Sequence, residues 1–343
     1  MSERRLISIV APCFNEAAGL RAFHAALTAV LEMLPYAVEI IYVDDGSTDA
    51  TPHVLAELRA QDARVKTLTF SRNFGHQAAL LAGLDAARGD AVVTLDSDLQ
   101  HPPELIPTLI RAWEEGAEIV HTIRRETADA TWFKRLTSRL FYRLLRWASG
   151  TPIIPGAADF RLLNRAAVDS FCALRETHRF NRGLVSWLGF RTAAVEFDAP
   201  ARFAGESKYS LGRMARFALH GLVSFSVWPL RAAMLLGFGM AGFAALYIAY
   251  ALYVFFILHW TVPGWTSTLI TVLLIGGVQL LSLGIVGEYV GKIYEEVKGR
   301  PLYIIRERHG FGDDHGGDGY GLERTATAPA SVDQQVRRDG RSK

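Results

Sequence analysis

Asp96 and Asp98 stand one residue apart in GDAVVTLDSDLQHPPE, residues 89–104, directly after an apolar run. Ala91–Leu95 is β-branched and apolar enough to be a buried strand. Pro102 and Pro103 stop it, and Pro103 suits the first position of the next helix. In open α/β sheets, ligands bind beyond the carboxyl ends of the strands. Two carboxylates there can hold a divalent cation that keeps waters and takes its other ligands from substrate phosphates. A bare Asp-x-Asp is also a common way to solvate a turn, so the rest of the chain must decide.

Three further polar clusters follow apolar runs: Pro12–Glu16 after Leu6–Ala11, Asp44–Asp49 after Val38–Val43, and Ser71–Gly75 after Val65–Phe70. Between them lie stretches with helical spacing. Leu20, Phe23, Leu27, Val30, Leu31 and Leu34 share one face within 17–34. Helices are also expected over 51–60, from 76 to Arg88, and over 104–115, with a fifth strand over 118–123. Alternating strands and helices predict a mainly parallel sheet with helices on both faces. The four clusters then converge on one crevice. G-x-x-x-x-G-K-[ST] does not occur, and G-x-G-x-x-G occurs only as Gly237–Gly242 inside the uncharged apolar stretch, away from the strand exits, which argues against the usual glycine-rich phosphate cradles. A nucleotide held here needs another charge partner, and a cation on Asp96 and Asp98 supplies it.

The chain has 343 residues, 50% hydrophobic and 21% charged, enough for a large core, and its formal net charge of +2 says little about partners. Cys13 and Cys172 give no disulfide framework, which fits a reducing compartment. The first residues lack a secretory signal pattern and are expected in the cytoplasm. No Asp, Glu, Lys or Arg occurs between Arg231 and Glu288. That stretch accommodates two spans of ~20–25 residues, one over roughly 232–258 and one over roughly 266–286, with Trp260, Pro263, Gly264 and Trp265 at the turn. Arg231 precedes the pair and Lys292, Lys298, Arg300, Arg306 and Arg308 follow it, which puts both ends in the cytoplasm. The domains expected are a catalytic domain over 1–228, an anchor over 229–290, and a cytoplasmic segment over 291–343, disordered from about 309.

APCFNE, VDDGSTD, SRNFGHQAALLAGL and LDSDLQHPPEL resemble the inverting family 2 glycosyltransferases of GT-A fold. With ADFRL, RFAGESKYS and GEYVGKIYEEVKGRPLY downstream, the chain is similar to the polyprenyl-phosphate glycosyltransferases, bactoprenol glucosyltransferases most of all and dolichyl-phosphate mannose synthases more distantly. Ser97 stands where that family often has Ala, and His101 where Asp is common. The resemblance implies a GT-A nucleotide-diphospho-sugar transferase fold with two C-terminal transmembrane helices. It implies transfer of a hexose from a nucleotide diphosphate sugar, UDP-glucose first, to undecaprenyl phosphate at the cytoplasmic face of the inner membrane. GDP-mannose, UDP-galactose and UDP-4-amino-arabinose are the alternative donors. An inactive nucleotide-sugar-binding scaffold is the alternative from another class, and homo-oligomerisation stays open.

By the same resemblance, Pro12, Phe14, Asn15, Glu16, Asp45, Asp96, Ser97 and Gln100 surround the nucleotide sugar, with Asp45 on the base. Asp98 and Asp96 take Mg2+ or Mn2+, Asp98 foremost, which neutralises the leaving diphosphate. Asp159 matches the acceptor-side carboxylate, to orient the acceptor or stabilise charge on the sugar; the competing reading makes it the N-cap of a helix over 160–169. Arg124, Arg202, Ser207 and Lys208 are the phosphate and acceptor contacts, the last three on a segment flexible at Gly205. Residues 131–148 carry an apolar stripe beside Arg135, Arg139, Arg143 and Arg146, the pattern of a helix lying in an anionic membrane surface, and 207–222 is a weaker candidate. A nucleic-acid partner is not expected beside a membrane anchor.

Overall fold

The computed structural model describes residues 5–98, 100–125, 154, 156–177, 179–197, 228–257 and 264–312. The basic stretch 131–148, the stretch 207–222, Arg202, Ser207, Lys208 and the tail beyond 312 lie outside the described residues.

Four parallel strands form the middle of the sheet: β1 (Leu6–Cys13), β2 (Ala37–Asp44), β3 (Val65–Phe70) and β4 (Ala91–Thr94). Their near-continuous apolar sequences follow from burial on both faces. Helix α1 (Leu20–Leu31) presents Leu20, Phe23, Leu27, Val30 and Leu31 to one face, together with α2 (Thr51–Gln61). Helix α3 (His76–Ala86) covers the opposite face, with Leu81 and Leu84 in one buried cluster with Val10 and Val43 and Gly83 lying against those two valines. Each such side chain, fully buried, contributes roughly 1.5–3 kcal/mol. After β4, one turn of 3-10 helix at Pro103–Leu105 leads into α4 (Ile106–Glu114) and then β5 (Ile119–Arg124).

The sheet then departs from a purely parallel plan. Strand β6 (Ala157–Asn164) inserts antiparallel between β4 and β5, with Thr94 opposite Arg161 and Ala91 opposite Asn164. Its beginning therefore lies at the carboxyl end of β4. Phe160–Leu163, expected by the competing reading to be helical, are strand residues. The helix starts later, as α5 (Arg165–Ala173), and its cap is Asn164, whose side chain accepts from the Ala167 N–H at 2.8 Å. Helix α6 (Asn181–Trp187) and β7 (Thr192–Phe197) complete this half.

Helices α7 (Trp228–Phe256) and α8 (Trp265–Val297) are long and apolar enough to cross a membrane, and their most apolar stretches are not buried in the protein. At 1.5 Å per residue α8 is about 50 Å long, more than a bilayer core of about 30 Å needs. It runs beyond Val286, where the sequence predicts the span to end, and carries Glu288, Lys292, Glu295 and Glu296 on its last turns. The chain then returns to the sheet. Strand β8 (Ile305–His309) pairs antiparallel with β3, giving the order β7-β5-β6-β4-β1-β2-β3-β8.

Candidate active site

The carboxyl ends of β1 to β4 lie on one edge, joined there by the beginning of β6. Asn15 ties two exits together. It sits at φ 56°, a left-handed conformation that Asn tolerates. Its Oδ1 accepts from the Thr48 N–H at 2.8 Å, and its own N–H donates to Ser47 Oγ at 2.9 Å. The Glu16 N–H donates to Thr51 Oγ1 at 2.9 Å. Gly46, at φ +69°, allows the β2 and β3 exits to touch, because a Cβ there would lie 2.5 Å from the Arg72 carbonyl carbon. Between these exits opens a cavity of about 410 Å³, lined in part by Phe14, Asp44, Ser47, Thr69, Arg72 and Arg306. Phe14 is 44% exposed, so its ring offers an apolar face to a ligand.

The two acidic residues of the β2 exit differ. Asp45 accepts from the N–H groups of Phe74 at 2.7 Å and Gly75 at 2.9 Å, at the start of α3. Burial pushes its pKa up, against the pull of those bonds. Asp44 is fully buried; its Oδ1 accepts from the Ser47 N–H at 3.0 Å, and its Oδ2 has no hydrogen-bond partner among the described residues. The family resemblance implies a base contact at Asp45. The structure has Asp45 occupied by backbone and leaves an unsatisfied acceptor on Asp44, which lines the cavity.

At the β4 exit, His76 Nε2 lies 2.7 Å from Asp96 Oδ1, and the Asp96 N–H donates to His101 Nδ1 at 3.0 Å. Burial works to raise the Asp96 pKa, but the His76 bond and the neighbouring imidazoles hold it below the ordinary carboxylate value. Ser97 is buried, and its Oγ donates to the Pro12 carbonyl at 2.9 Å, locking the β4 exit to the β1 exit. Asp98 is exposed and bonded by Gln100, through its N–H at 3.0 Å and its Nε2 at 2.6 Å. Burial, then Asp98, Asp49 and Asp96, push the Glu16 pKa up, a sign of concentrated negative charge. Oxygen donors in such a field suit a hard divalent cation. Among the described residues no cluster of three or more His, Cys, Asp or Glu surrounds the pair, so substrate phosphate and water would complete the shell.

Asp159 lies on β6, buried, with Arg161 donating to Oδ1 at 2.6 Å and Arg182 of α6 to Oδ2 at 3.1 Å. Burial opposes its ionisation, yet the two guanidiniums hold its pKa below the usual range. It is a fixed charge with both oxygens engaged.

The family model described as Glycosyl transferase family 2 matches residues 8–171. An uncharacterized glycosyltransferase of Bacillus subtilis (strain 168), YkcC, is 42% identical over 91% of this chain and 96% of its own length. The SfII prophage-derived bactoprenol glucosyl transferase of Shigella flexneri is 41% identical over 88% of this chain and 98% of its own. The chain belongs to glycosyl transferase family 2. Its architecture is the GT-A fold. Among solved structures, the chain is similar to glucosyl-3-phosphoglycerate synthase from Mycobacterium tuberculosis over 64% of its own length and 79% of that chain's, at 24% identity and a TM-score of 0.46.

In this family 2 glycosyltransferase, Phe14, Glu16, Asp96, Asp98, Gln100 and Asp159 are gathered on one edge of the sheet. Pro12, Asn15, Ser97 and Asp45 stand among them as the residues that shape the exits. Arg124 ends β5, exposed, beside β6. Arg182, His76 and Arg306 belong to the same edge although the spacing singled none of them out for the site. His76 sits inside SRNFGHQ, the one place where a local signal existed.

Proposed function

We propose that this glycosyltransferase moves glucose from UDP-glucose to a polyprenyl phosphate at the cytoplasmic membrane face, with inversion at the anomeric carbon. The observation that carries the reading is the placing of two polar centres on one sheet edge: the Asp96/Asp98 pair beside the cavity, and Asp159 with its arginines at the start of β6. The bactoprenol glucosyl transferases similar to this chain over nearly their full length support the lipid acceptor. Two helices able to span a membrane, with basic residues on the sheet side, support an anchor with both termini cytoplasmic.

The nucleoside occupies the cavity, with the base against Phe14 and a base N–H on Asp44 Oδ2. Asp98, assisted by Asp96, would hold Mg2+ or Mn2+, which when bound supplies charge neutralisation for the departing diphosphate. His76 holds the Asp96 carboxylate and His101 accepts from the Asp96 N–H. A phosphate oxygen of the acceptor attacks the anomeric carbon from the face opposite the leaving group. The bond from that carbon to the UDP oxygen breaks with its electron pair, and the new carbon–oxygen bond forms with inverted configuration. The acceptor phosphate is already anionic near neutral pH, so no general base is needed. Asp159 supplies none: it is ionised and ion-paired, and it positions Arg182 toward the acceptor side while stabilising positive charge on the sugar.

Purified full-length protein in nanodiscs, given undecaprenyl phosphate and separately UDP-glucose, UDP-galactose or GDP-mannose with labelled sugar, tests the reading. Lipid-extractable label is expected from UDP-glucose, with β-linked product from the α-linked donor. Label from another donor would replace the sugar, and no lipid label from any would remove the acceptor.

A further inference from the structure

Strand β8 pairs with β3 through Thr67 opposite His309, Leu68 opposite Arg308, Thr69 opposite Glu307, and then Phe70 opposite Ile305. Arg306 is skipped. It is the extra residue of a β-bulge, a device that re-aims a side chain and occurs often beside active sites. The bulge is held from both sides. Upstream, the Ser71 N–H donates to the Ile304 carbonyl at 3.0 Å, the Tyr303 ring stacks on Phe70 at 5.3 Å, and Tyr303 donates to Asp85 at 2.6 Å. Downstream, Lys66 and Arg308 both lie over the Phe311 ring. Gly310, at φ +84°, passes so near β3 that a Cβ would lie 2.9 Å from the Val65 carbonyl oxygen.

Arg306 lines the same cavity as Phe14 and Asp44. The other arginine there, Arg72, lies over the Phe74 ring at 4.0 Å and donates to the Asn73 carbonyl. Arg306 is ion-paired with its neighbour Glu307 at 3.3 Å, both more than half exposed, a pairing weak enough to exchange for a ligand.

We propose that Arg306 is a donor-specificity residue, delivered to the nucleotide cavity by the strand that returns from the membrane helices. This rests on the reading of the cavity as the nucleotide-sugar site. Uracil presents an N–H flanked by two carbonyl oxygens. Asp44 Oδ2 accepts the N–H, and the Arg306 guanidinium donates to an adjacent carbonyl. Cytosine would turn a ring nitrogen lone pair toward the carboxylate. Guanine offers two adjacent N–H donors, but the second Asp44 oxygen is already taken by Ser47. The family model ends at residue 171, so this contact lies on a part of the chain outside it.

Full-length protein in nanodiscs, titrated calorimetrically with UDP, CDP and GDP, tests the proposal. Arg306→Ala is expected to weaken UDP binding about tenfold or more, the loss of one hydrogen bond from a charged donor. Its UDP-over-CDP preference narrows, and the transfer defect falls on donor KM rather than on kcat. Arg306→Gln, which keeps a donor and most of the bulge volume, recovers part of the affinity, and melting temperatures separate this from misfolding. Wild-type UDP affinity in both variants overturns the proposal, as does an equal loss for all three nucleotides, which would make Arg306 a phosphate contact. Wild-type protein that binds GDP and not UDP overturns the donor reading itself.

Discussion

Strand β2 carries a buried acid near each end, and the two are treated oppositely. Glu39 accepts from Ser8 Oγ at 2.5 Å, Lys66 Nζ at 2.6 Å and the Arg88 N–H at 2.7 Å, while Gly89 N–H donates to the same Ser8 Oγ at 2.8 Å. Asp44, more deeply buried, has one oxygen bonded and one without a partner among the described residues. Buried acceptors in folded proteins are nearly always satisfied, so an exception asks for a reason. Glu39 binds two strands and the turn before β4, far from the cavity, and its saturation belongs to the fold. On the proposed reading, Asp44 turns its unpaired acceptor to a ligand. Burial of two like groups on one strand therefore says nothing of their role; the state of their oxygens does.

The contrast can be broken at either end. The largest effect is expected at the open edge, where Asp98→Asn should lower transfer about 10³-fold or more, roughly 4 kcal/mol, with an unchanged melting temperature. Excess EDTA should do the same to wild type, reversed by Mn2+ or Mg2+; full turnover in EDTA would remove the metal. At the closed end, Glu39→Ala strands Lys66 and should destabilise by about 3 kcal/mol in thermal unfolding, while nucleotide affinity at 25 °C stays at the wild-type level.

Titration separates two buried groups by window, although both lose stability as pH falls. Burial opposes ionisation of Glu39, but Lys66, Ser8 and Arg88 hold its pKa below 4.5, so its contribution is complete above pH 4.5 and disappears as pH falls through the lowered value. His121, on β5 beside Arg161, is buried with neither ring nitrogen bonded among the described residues, and burial followed by Arg161 pushes its pKa down to about 4. The unfolded chain binds that proton near pH 6.5 and the native one does not, so stability falls between pH 6.5 and 4, by at most about 3 kcal/mol. His121→Leu should flatten this part of the stability curve. The smallest effect is the most specific. Asp44→Asn keeps an oxygen for Ser47 and puts an N–H donor where the free oxygen was. UDP affinity should drop about tenfold, CDP should gain relative to UDP, and stability should not fall. A loss of stability like that of Glu39→Ala would erase the distinction between the two acids.

The parallel half of the sheet and the Asp96/Asp98 pair were legible because they are local: an apolar run, then carboxylates at its end. The Asp44–Asp45 doublet was legible as a site but not as two roles, since only three-dimensional placement shows which carboxylate meets the start of α3. Asp159 depends on β6 running antiparallel beside β4, and its partner Arg182 comes from a helix with no motif of its own. Strand β8, sequence IRERH, has no apolar face to announce it; an edge strand with charged side chains reads as a solvated tail until its partner, more than two hundred residues upstream, is known.

That late strand also sets an order of events. During synthesis β3 is made early, yet its outer edge has no strand beside it until both apolar helices have left the ribosome and the next few residues emerge. The sheet is thus closed last, by a piece of chain that can arrive only after both apolar helices have been made. Molecules whose helices fail to insert would expose an unpaired strand edge together with two apolar helices, the combination most prone to association and removal. Completion of the sheet is in this way made to wait on the two apolar helices.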